Sequence, residues 1–454
     1  MKENREKAVI ILYFLLYLTV ALTVALHQPL YNIYPDLPNP PDEHSRYLVP
    51  LYICNHGTLP TGYEAELFSG DCRWTYGFYT LLPYIIQGFA MRFVNLFTDS
   101  PLALLYTARL VNVAFGLVMA YVVLLLGRKL FRDARLRWLF CFLVVFLPQG
   151  LFLHTYTNPD SLCMLSVALM LYGMARGYGD GFSFGSCGLL TAGIILCALS
   201  YYNAYGYILG SIVLFAASFW KREEGGWRCD WRAFWKKGLA ISAVVLLCVG
   251  WSFIRNYILY DGDLIGLETK QALVKSFGVQ TETYASQGIS LFSMLFGTTF
   301  FPKMAVSFIA NYGSATLYTW KIVYVFYLAL FGAGILGLFF RRRGGEFLIR
   351  ERWRRILIHG VMAFCIVMPL LLLIRYSYTV DYQAQGRYLL PALVPGMYYI
   401  VRGLVKLPLW DRASEKRKNI LFLAVMSGIV VSLLVTVYIT ALPYYLQQPV
   451  LYQP

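Results

Sequence analysis

The sequence predicts an all-α polytopic membrane protein, because long apolar segments alternate with short basic ones along the whole chain. The 454 residues are 58% hydrophobic and only 14% charged, whereas a soluble domain carries about 25% charged residues. A chain of this length with so few charges cannot cover itself with polar groups, so lipid must be its main solvent. The net charge of +15 does not indicate nucleic-acid binding, because the basic residues fall in clusters between apolar segments, as the positive-inside rule describes.

Eleven apolar segments are predicted to span the membrane, as about 20 apolar residues suffice to cross it. Residues 8–27 form the first span, and the basic residues before them place the N-terminus in the cytoplasm. The other spans are predicted at residues 101–127, 138–153, 159–176, 184–200, 203–220, 238–259, 316–340, 356–375, 388–404 and 419–442. This count places every basic cluster on one face and the C-terminus outside, within a single membrane domain over residues 1–454.

Two long segments are predicted on the outer face. In the first outer loop, residues 28–100, a short helix is expected from Asp42 to His56, where preceding prolines suit a helix start. Residues 76–97 are predicted to be an interfacial helix, because another crossing would put the later basic clusters on the wrong face. Cys54 and Cys72 also lie in this loop and can pair in an oxidising compartment. The second outer segment, residues 260–315, contains an apolar stretch that is predicted to be interfacial.

Charged and strongly polar side chains recur at the outer ends of the predicted spans. Ionisable groups at such positions cost several kcal/mol unless they are paired or lie in a wet cavity, so they are candidates for function. The candidates are Asp42, Glu43, His44, Arg46, Arg109, His154, Asn158, Asp160, Arg255, Gln385 and Arg387.

These residue types suggest a division of labour. A carboxylate can act as a general base on an acceptor hydroxyl or coordinate a divalent metal, and a guanidinium group suits a phosphate. Acids beside arginines therefore predict a reaction on a lipid phosphate that reaches the outer face from within the bilayer. Structural interpretations stay open: Asp42 and Glu43 can start a helix, Asp160 can cap one, and Arg255 and Arg387 can anchor span ends.

Four segments, taken in order, resemble bacterial GT-C glycosyltransferases. They are Pro-Pro-Asp-Glu-His at residues 40–44 with the loop to residue 60, Tyr-Thr-Asn-Pro-Asp-Ser-Leu at 156–162, Arg-Asn-Tyr-Ile-Leu-Tyr-Asp-Gly-Asp at 255–263, and Gln-Gly-Arg-Tyr-Leu-Leu-Pro at 385–391. The first is similar to the outer loop of the protein O-mannosyltransferase and aminoarabinose transferase group. The other three resemble a related, less well characterised bacterial membrane family.

The resemblance implies a GT-C-like bundle with an outward-facing cavity under the first loop. It implies transfer of a hexosyl or pentosyl group from a polyprenyl-phosphate donor to a hydroxyl of a glycan, lipid or protein outside the cell. It also implies Asp42 as the base with Glu43 as its competitor, Asp160 as the acid at the fourth span, and Arg255 and Arg387 near the donor phosphate. A divalent metal, Mg²⁺ or Mn²⁺, stays open, because the sequence offers no dedicated ligand set.

The sequence also departs from these relatives and leaves alternative functions open. The turn at residues 201–203 lacks the lysine that relatives often carry, and a large soluble C-terminal domain has no counterpart, which leaves acceptor recognition to the outer loops. A transporter or flippase of lipid-linked sugars would need polar groups through the bilayer midplane, where these spans are largely uncharged. A polysaccharide polymerase or ligase usually needs basic residues in large outer loops, whereas the first loop here is rich in acids.

Overall fold

The computed structural model describes residues 2–30, 39–69, 75–78, 82–224, 226–278, 282–313, 316–340 and 351–451. Its α-helices are α1 Lys2–His27, α2 Glu43–His56, α3 Leu82–Val94, α4 Pro101–Leu130, α5 Ala134–Val145, α6 Pro148–Phe152, α7 Asp160–Asp180, α8 Phe184–Ala198, α9 Tyr205–Ser218, α10 Trp231–Leu259, α11 Leu267–Ser276, α12 Leu291–Phe296, α13 Phe300–Ile309, α14 Lys321–Leu338, α15 Arg352–Thr379, α16 Leu393–Lys406, α17 Pro408–Asp411, α18 Glu415–Leu434 and α19 Leu442–Tyr445. Short 3-10 helices lie at Ala65–Leu67, Tyr202–Ala204 and Gly386–Ala392, and a π-helix at Val435–Ala441 joins α18 to α19.

Two small antiparallel hairpins interrupt the helical architecture. Strands β1 (Trp220–Glu223) and β2 (Gly226–Cys229) pair with each other, with Trp220 opposite Cys229. Strands β3 (Asn311–Tyr312) and β4 (Leu317–Tyr318) form the second hairpin, with Asn311 opposite Tyr318. The fold is therefore helical with two β-hairpins added, which the pattern of apolar segments did not predict.

The protein is a multi-pass membrane protein, and eight of its described helices are long and apolar enough to cross a membrane. They cover Glu6–His27, Pro101–Leu130, Asp160–Asp180, Trp231–Leu259, Lys321–Leu338, Arg352–Thr379, Gly386–Lys406 and Glu415–Tyr445. Each of them contains most of one predicted span, so eight of the eleven predicted segments meet the length requirement.

The other three predicted spans, at residues 138–153, 184–200 and 203–220, are shorter or broken helices, so the prediction of eleven spans is not confirmed. The first breaks between α5 and α6, where Pro148 has no N–H to continue the helix. Helices α8 and α9 have 15 and 14 residues. At about 1.5 Å per residue each is about 21–23 Å long, which is less than the hydrocarbon thickness of about 30 Å.

The helix bundle is held together at points of close approach that also position the outer loops. The hydroxyl groups of Tyr13 and Tyr17 on α1 donate to carbonyl oxygens of α4 at 3.1 and 2.9 Å. Helices α14 and α16 cross where a Cβ on Gly403 would collide with the carbonyl group of Gly334, the small-residue contact that membrane helices use for close packing. Helix α16 continues the 3-10 helix that begins at residue 386, so this contact also anchors the last candidate segment.

The first outer loop folds largely as the sequence predicts. The expected short helix is present as α2, and it ends at Gly57, whose φ of 69° favours glycine. The interfacial helix predicted at residues 76–97 is a helix over the shorter range of α3. The predicted pairing of Cys54 with Cys72 involves a residue that lies outside the described ranges.

Candidate functional site

The residue before α2 places the first candidate acid beside two arginines. Asp42 has a φ of 60° and a ψ of 8°, in the left-handed region that Asp and Asn occupy more readily than most residues. Its side chain makes no capping bond to the helix. Instead, Nη2 of Arg387 donates to Oδ2 of Asp42 at 3.1 Å, and Nη2 of Arg46 lies 3.5 Å from the same oxygen.

The Asp42 carboxylate is both accessible and negatively charged. Its side chain is 38% exposed, whereas the side chains of Arg46 and Arg387 are each only 5% exposed. Burial raises the pKa of Asp42, but the charges of Arg387 and Arg46 outweigh that effect and hold the pKa below its usual value of 3.8. Asp42 is therefore ionised throughout the neutral range.

Glu43, the next residue, has the opposite environment. Its fully buried carboxylate accepts from Nε and Nη2 of Arg109 at 2.9 and 2.6 Å. Nη1 of Arg109 also donates to the carbonyl oxygens of Ala25 and Gln28 at 3.0 and 2.7 Å. The ion pair thus ties the start of α2 to α4 and to the end of α1, so Glu43 holds Asp42 in position and has no surface to offer a substrate.

The same region of α4 also fixes the turn that precedes α7. One helical turn after the buried arginine, Nδ2 of Asn112 donates to the carbonyl oxygens of Tyr156 and Asn158, the latter at 3.1 Å. The backbone N–H of Thr157 donates to Oε1 of Glu43 at 2.8 Å. The start of α2 and the start of α7 are therefore held against each other through α4.

This arrangement brings the second candidate acid to the first. Asp160, in the first turn of α7, is 6% exposed. Its Oδ2 accepts from Nη1 of Arg46 at 3.3 Å, so Arg46 bridges Asp160 and Asp42. The cap position of α7 is occupied by Pro159, with Asp160 in the first turn, and the Asp160 carboxylate pairs with Arg46.

Arg387 reaches Asp42 because a glycine allows its segment to lie directly on α13. The backbone N–H of Gly386 donates to Oγ of Ser307 at 2.7 Å. A Cβ on Gly386 would collide with the backbone of Met304 and Phe308, so this close approach requires glycine.

Three buried nitrogen atoms of the two arginines have no hydrogen-bond partner within the described part of the chain. They are Nε and Nη1 of Arg387 and Nε of Arg46. Nη2 of Arg387 is shared between Asp42 and the hydroxyl group of Tyr388, 3.1 Å away, and that hydroxyl in turn donates to Oε1 of Gln383 at 2.5 Å. A buried donor without a partner costs about 1–3 kcal/mol, so the free donors indicate a place for an anionic ligand.

A third cation, which the sequence did not predict, joins this group from the second outer segment. Lys270 on α11 is 3% exposed, and its Nζ lies 4.6 Å from the centre of the Tyr76 ring, over which the guanidinium of Arg46 also lies at 5.0 Å. Burial lowers the pKa of Lys270 well below its usual value, and the charge of Asp42 only partly offsets this effect. We refer to Asp42, Arg46, Asp160, Lys270 and Arg387 as the Asp42 cluster.

Sequence patterns offered no signal for Lys270, because α11 looks like any polar helix in an outer loop. Two tyrosines were missed for a similar reason. The hydroxyl group of Tyr84 is buried without a hydrogen-bond partner among the described residues, the hydroxyl group of Tyr156 is buried near Arg387, and both tyrosines interact electrostatically with Arg46 and Asp160.

The two candidates in the turn before α7 build the turn itself. Burial lowers the pKa of His154 to about 3, so the imidazole is neutral, and its Nδ1 lies 2.6 Å from Oγ of Ser161. Nδ2 of Asn158 donates to the carbonyl oxygens of Leu153 and Tyr156, both at 2.8 Å. Both side chains are buried and bonded within the turn, and their role in substrate binding stays a prediction.

The remaining candidates fall outside the cluster or at its edge. Arg255 on α10 donates from Nη2 to the carbonyl oxygen of Pro60, so it holds the turn after α2, and its place at the donor phosphate stays a prediction. Gln385 has a buried Oε1 without a hydrogen-bond partner in the described ranges. His44 is half-buried at the start of α2, and burial lowers its pKa.

The described acids do not form a set of metal ligands. Within the described ranges, no group of three or more His, Cys, Asp or Glu side chains is placed to hold one. Arg46 lies between the carboxylates of Asp42 and Asp160 and contacts both. A cation at that point would have to displace the guanidinium group.

Comparison with known proteins supports the fold. The family model described as "Predicted membrane protein (DUF2142)" matches residues 65–396. The structure resembles ArnT from Cupriavidus metallidurans bound to undecaprenyl phosphate, with a TM-score of 0.55 and 12% identity over 97% of this chain and 85% of that one. No curated protein matches the sequence.

A second solved structure is similar over part of its length. The Archaeoglobus fulgidus oligosaccharyltransferase tethered with an acceptor peptide gives a TM-score of 0.50 and 16% identity, over 95% of this chain and 55% of that one. This chain thus spans about half the length of the archaeal enzyme. Both proteins are membrane glycosyltransferases of the GT-C fold, so the predicted resemblance to that fold is confirmed across nearly the whole chain.

Proposed function

The chain belongs to the DUF2142 family of predicted membrane proteins, and from its fold and its candidate site we propose that it is a glycosyltransferase. It transfers a hexosyl or pentosyl group from a polyprenyl-phosphate donor to an acceptor hydroxyl on the extracytoplasmic face. The GT-C-like fold supports the reaction class. The observation that carries the proposal is the Asp42 cluster, which combines an accessible carboxylate with buried arginine donors that have no partner among the described residues.

The cations of the cluster suit the phosphate of the donor. Arg387 and Arg46 offer three buried donor nitrogens, and guanidinium groups bind phosphate oxygens through fixed, paired donors. Lys270 adds a third cation from α11. With Asp42 and Asp160 as the only carboxylates of the cluster, its net charge is positive when the lysine is protonated, and this favours an anionic ligand.

The carboxylate of Asp42 suits the acceptor. In the proposed reaction the acceptor oxygen attacks the anomeric carbon of the sugar, and the bond between that carbon and the phosphate oxygen breaks. The acceptor proton passes to Asp42, and the polyprenyl phosphate leaves as an anion stabilised by the cations. Attack from the side opposite the phosphate inverts the anomeric configuration. Because the leaving group is already an anion, cation stabilisation replaces a general acid.

Donor binding also improves Asp42 as a base. In the free protein the arginine charges hold the pKa of Asp42 below its usual value, which makes it a weak base. A phosphate bound to Arg387 and Arg46 cancels part of their charge, so the pKa of Asp42 rises towards the value that suits proton transfer. The base is thereby activated only when the donor is in place.

The proposal is tested by incubating purified protein with radiolabelled polyprenyl-phosphate hexoses and pentoses in the presence of envelope extracts. We expect transfer of label to an acceptor together with release of free polyprenyl phosphate. A flippase of lipid-linked sugars would instead move the donor across a vesicle membrane without consuming it. The proposal would be overturned if every radiolabelled donor stayed intact while the lipid moved between leaflets.

The pH dependence of transfer should report the ion pair between Asp42 and Arg387. Because the pKa of Asp42 is held below 3.8, kcat/KM should be independent of Asp42 ionisation above that pH and fall only below it. Arg387→Gln should shift this fall in kcat/KM to higher pH, because the substitution removes the largest charge that lowers the pKa of Asp42. The profile of kcat/KM reports the free enzyme. The control is Arg375→Gln, which changes an exposed arginine on α15 and should leave the pH profile of kcat/KM unchanged. If the profile of Arg387→Gln is also unchanged, the ion pair does not control the ionisation of Asp42.

Lys270 should contribute to donor affinity in a pH-dependent way. Lys270→Met keeps the length of the side chain over Tyr76 but removes the ammonium group. We expect undecaprenyl phosphate to bind about tenfold more weakly or worse, since a charge-assisted hydrogen bond contributes about 1.5–3 kcal/mol. Because burial lowers the pKa of Lys270, wild-type affinity should fall as the pH rises through that pKa.

Equilibrium binding to the purified protein measures both effects. The matched control is Lys275→Met, which changes the same charge on an exposed part of α11 and should bind like the wild type. Equal affinities and equal pH slopes for Lys270→Met and the wild type would remove Lys270 from the phosphate site.

A further inference from the structure

A cavity lies at the opposite end of the bundle from the Asp42 cluster in the predicted topology, among the basic clusters. It has a volume of about 340 Å³ and is bounded by the α17 turn and the first turns of α18, with Leu409, Arg412, Arg417 and Ile420 on its walls. A narrower cleft of about 80 Å³ shares Leu409 and continues between α5, α16 and α18. The wide cavity and the narrow cleft share Leu409 and Leu421 and therefore adjoin each other, and we refer to them together as one groove with a wide and a narrow end.

The wide end carries two positive charges that are not neutralised. Arg412 and Arg417 are exposed, and their guanidinium groups form no ion pair with any described residue. Their basic neighbours differ, because Arg135 pairs with Asp133 and Glu415 at 2.8 and 2.9 Å. The acids of this region are thus used elsewhere, and the cavity itself remains cationic.

The narrow end is apolar and continues onto the surface of the bundle. Its walls include Trp410, Phe422 and Leu139. At the junction with the cationic end, Leu409 and Ile420 are 70% and 56% exposed. Exposed aliphatic side chains next to arginines are typical of the boundary between headgroups and acyl chains, where the arginine stems lie along apolar surface and their charges reach the polar layer.

We propose that this groove binds an anionic phospholipid. The phosphate of the headgroup lies between Arg412 and Arg417, and one acyl chain runs over the exposed side chains of Leu409 and Ile420 towards the cleft between α5, α16 and α18. Charge complementarity selects an anionic headgroup, because basic pockets at membrane-helix ends on this face are suited to such lipids. The apolar cleft selects a lipid over a free phosphate, since a soluble anion would leave it unfilled. The site is independent of sugar transfer.

Native mass spectrometry of the full chain, titrated with phosphatidylglycerol or phosphatidylcholine, tests the proposal. We expect a bound phosphatidylglycerol that phosphatidylcholine does not replace, and at least tenfold weaker binding in the double variant Arg412→Gln/Arg417→Gln. The control Lys129→Gln/Lys416→Gln removes the same charge from exposed positions outside the groove and should bind phosphatidylglycerol like the wild type.

A second variant tests the cleft without changing the charge. Leu421 lines both ends of the groove, so Leu421→Trp should fill the cleft and also weaken phosphatidylglycerol binding. The proposal is overturned if both lipids bind equally, if the control loses as much affinity as the arginine variant, or if glycerophosphoglycerol without acyl chains binds as tightly as the lipid.

Discussion

Replacing Asp42 by asparagine should reduce the rate of sugar transfer about 100-fold or more while leaving donor binding intact. A positioned general base contributes typically about 10²–10⁴-fold to a rate, and Asp42 is the accessible carboxylate of the cluster. Asparagine tolerates the left-handed backbone that this position requires, so the substitution removes the charge without straining the start of α2. The measurement is kcat for transfer beside the dissociation constant of undecaprenyl phosphate.

The control for this prediction lies in the same loop. Glu66→Gln removes an acid whose side chain is 59% exposed and pairs with His56, away from the cluster, so transfer should continue at the wild-type rate. A second comparison is Asp42→Ala, which should lose both activity and stability because alanine does not favour a φ of 60°. Full activity in Asp42→Asn would refute the role of Asp42 as the base.

Replacing Glu43 by glutamine should instead destabilise the protein. The substitution leaves Arg109 as a buried charge without its counter-ion and turns an amide N–H₂ group towards the guanidinium. Removing one partner of a buried ion pair costs about 3–5 kcal/mol. The expected result is a clear decrease in the thermal unfolding midpoint of the detergent-solubilised protein, with residual activity that falls in proportion to the folded fraction.

The double variant Glu43→Gln/Arg109→Met separates the structural from the catalytic interpretation. If the pair only holds α2 against α4, removing both charges should recover much of the lost stability, because a buried pair can be replaced by neutral groups at little cost. Transfer should recover with it. A Glu43→Gln protein that is as stable as the wild type but inactive would show that Glu43 is the base.

The sequence predicted most of the local structure. Apolar segments long enough for a bilayer identified the eight long helices, and the residues before and after α2 identified its ends. Local patterns failed where three-dimensional packing determined the result. The predicted third span breaks at Pro148, which has no N–H to continue the helix, and the break is tolerated because the residues around it are buried inside the protein, where neighbouring helices can satisfy a broken backbone.

The site was predicted in its acids and only partly in its cations. Asp42, Asp160 and Arg387 were all candidates, and the structure brings them together although Asp42 and Arg387 are 345 residues apart. Arg255 was expected beside them and lies against Pro60 instead. Lys270 was not expected, since nothing near it in sequence distinguishes it from Lys275 on the same helix. Contacts between distant segments depend on how the helices pack, and local sequence patterns do not reveal that packing.

The sequence by itself determined that this is a helical membrane protein with acids and arginines at the ends of its spans, because bilayer thickness and the cost of buried charge act on local composition. Only the tertiary structure decided what two adjacent carboxylates do. Asp42 is 38% exposed beside Arg387, and Glu43 is fully buried against Arg109. The left-handed backbone of Asp42 and the packing of α2 on α4 separate the two side chains, so one carboxylate is accessible and the other is held within the fold.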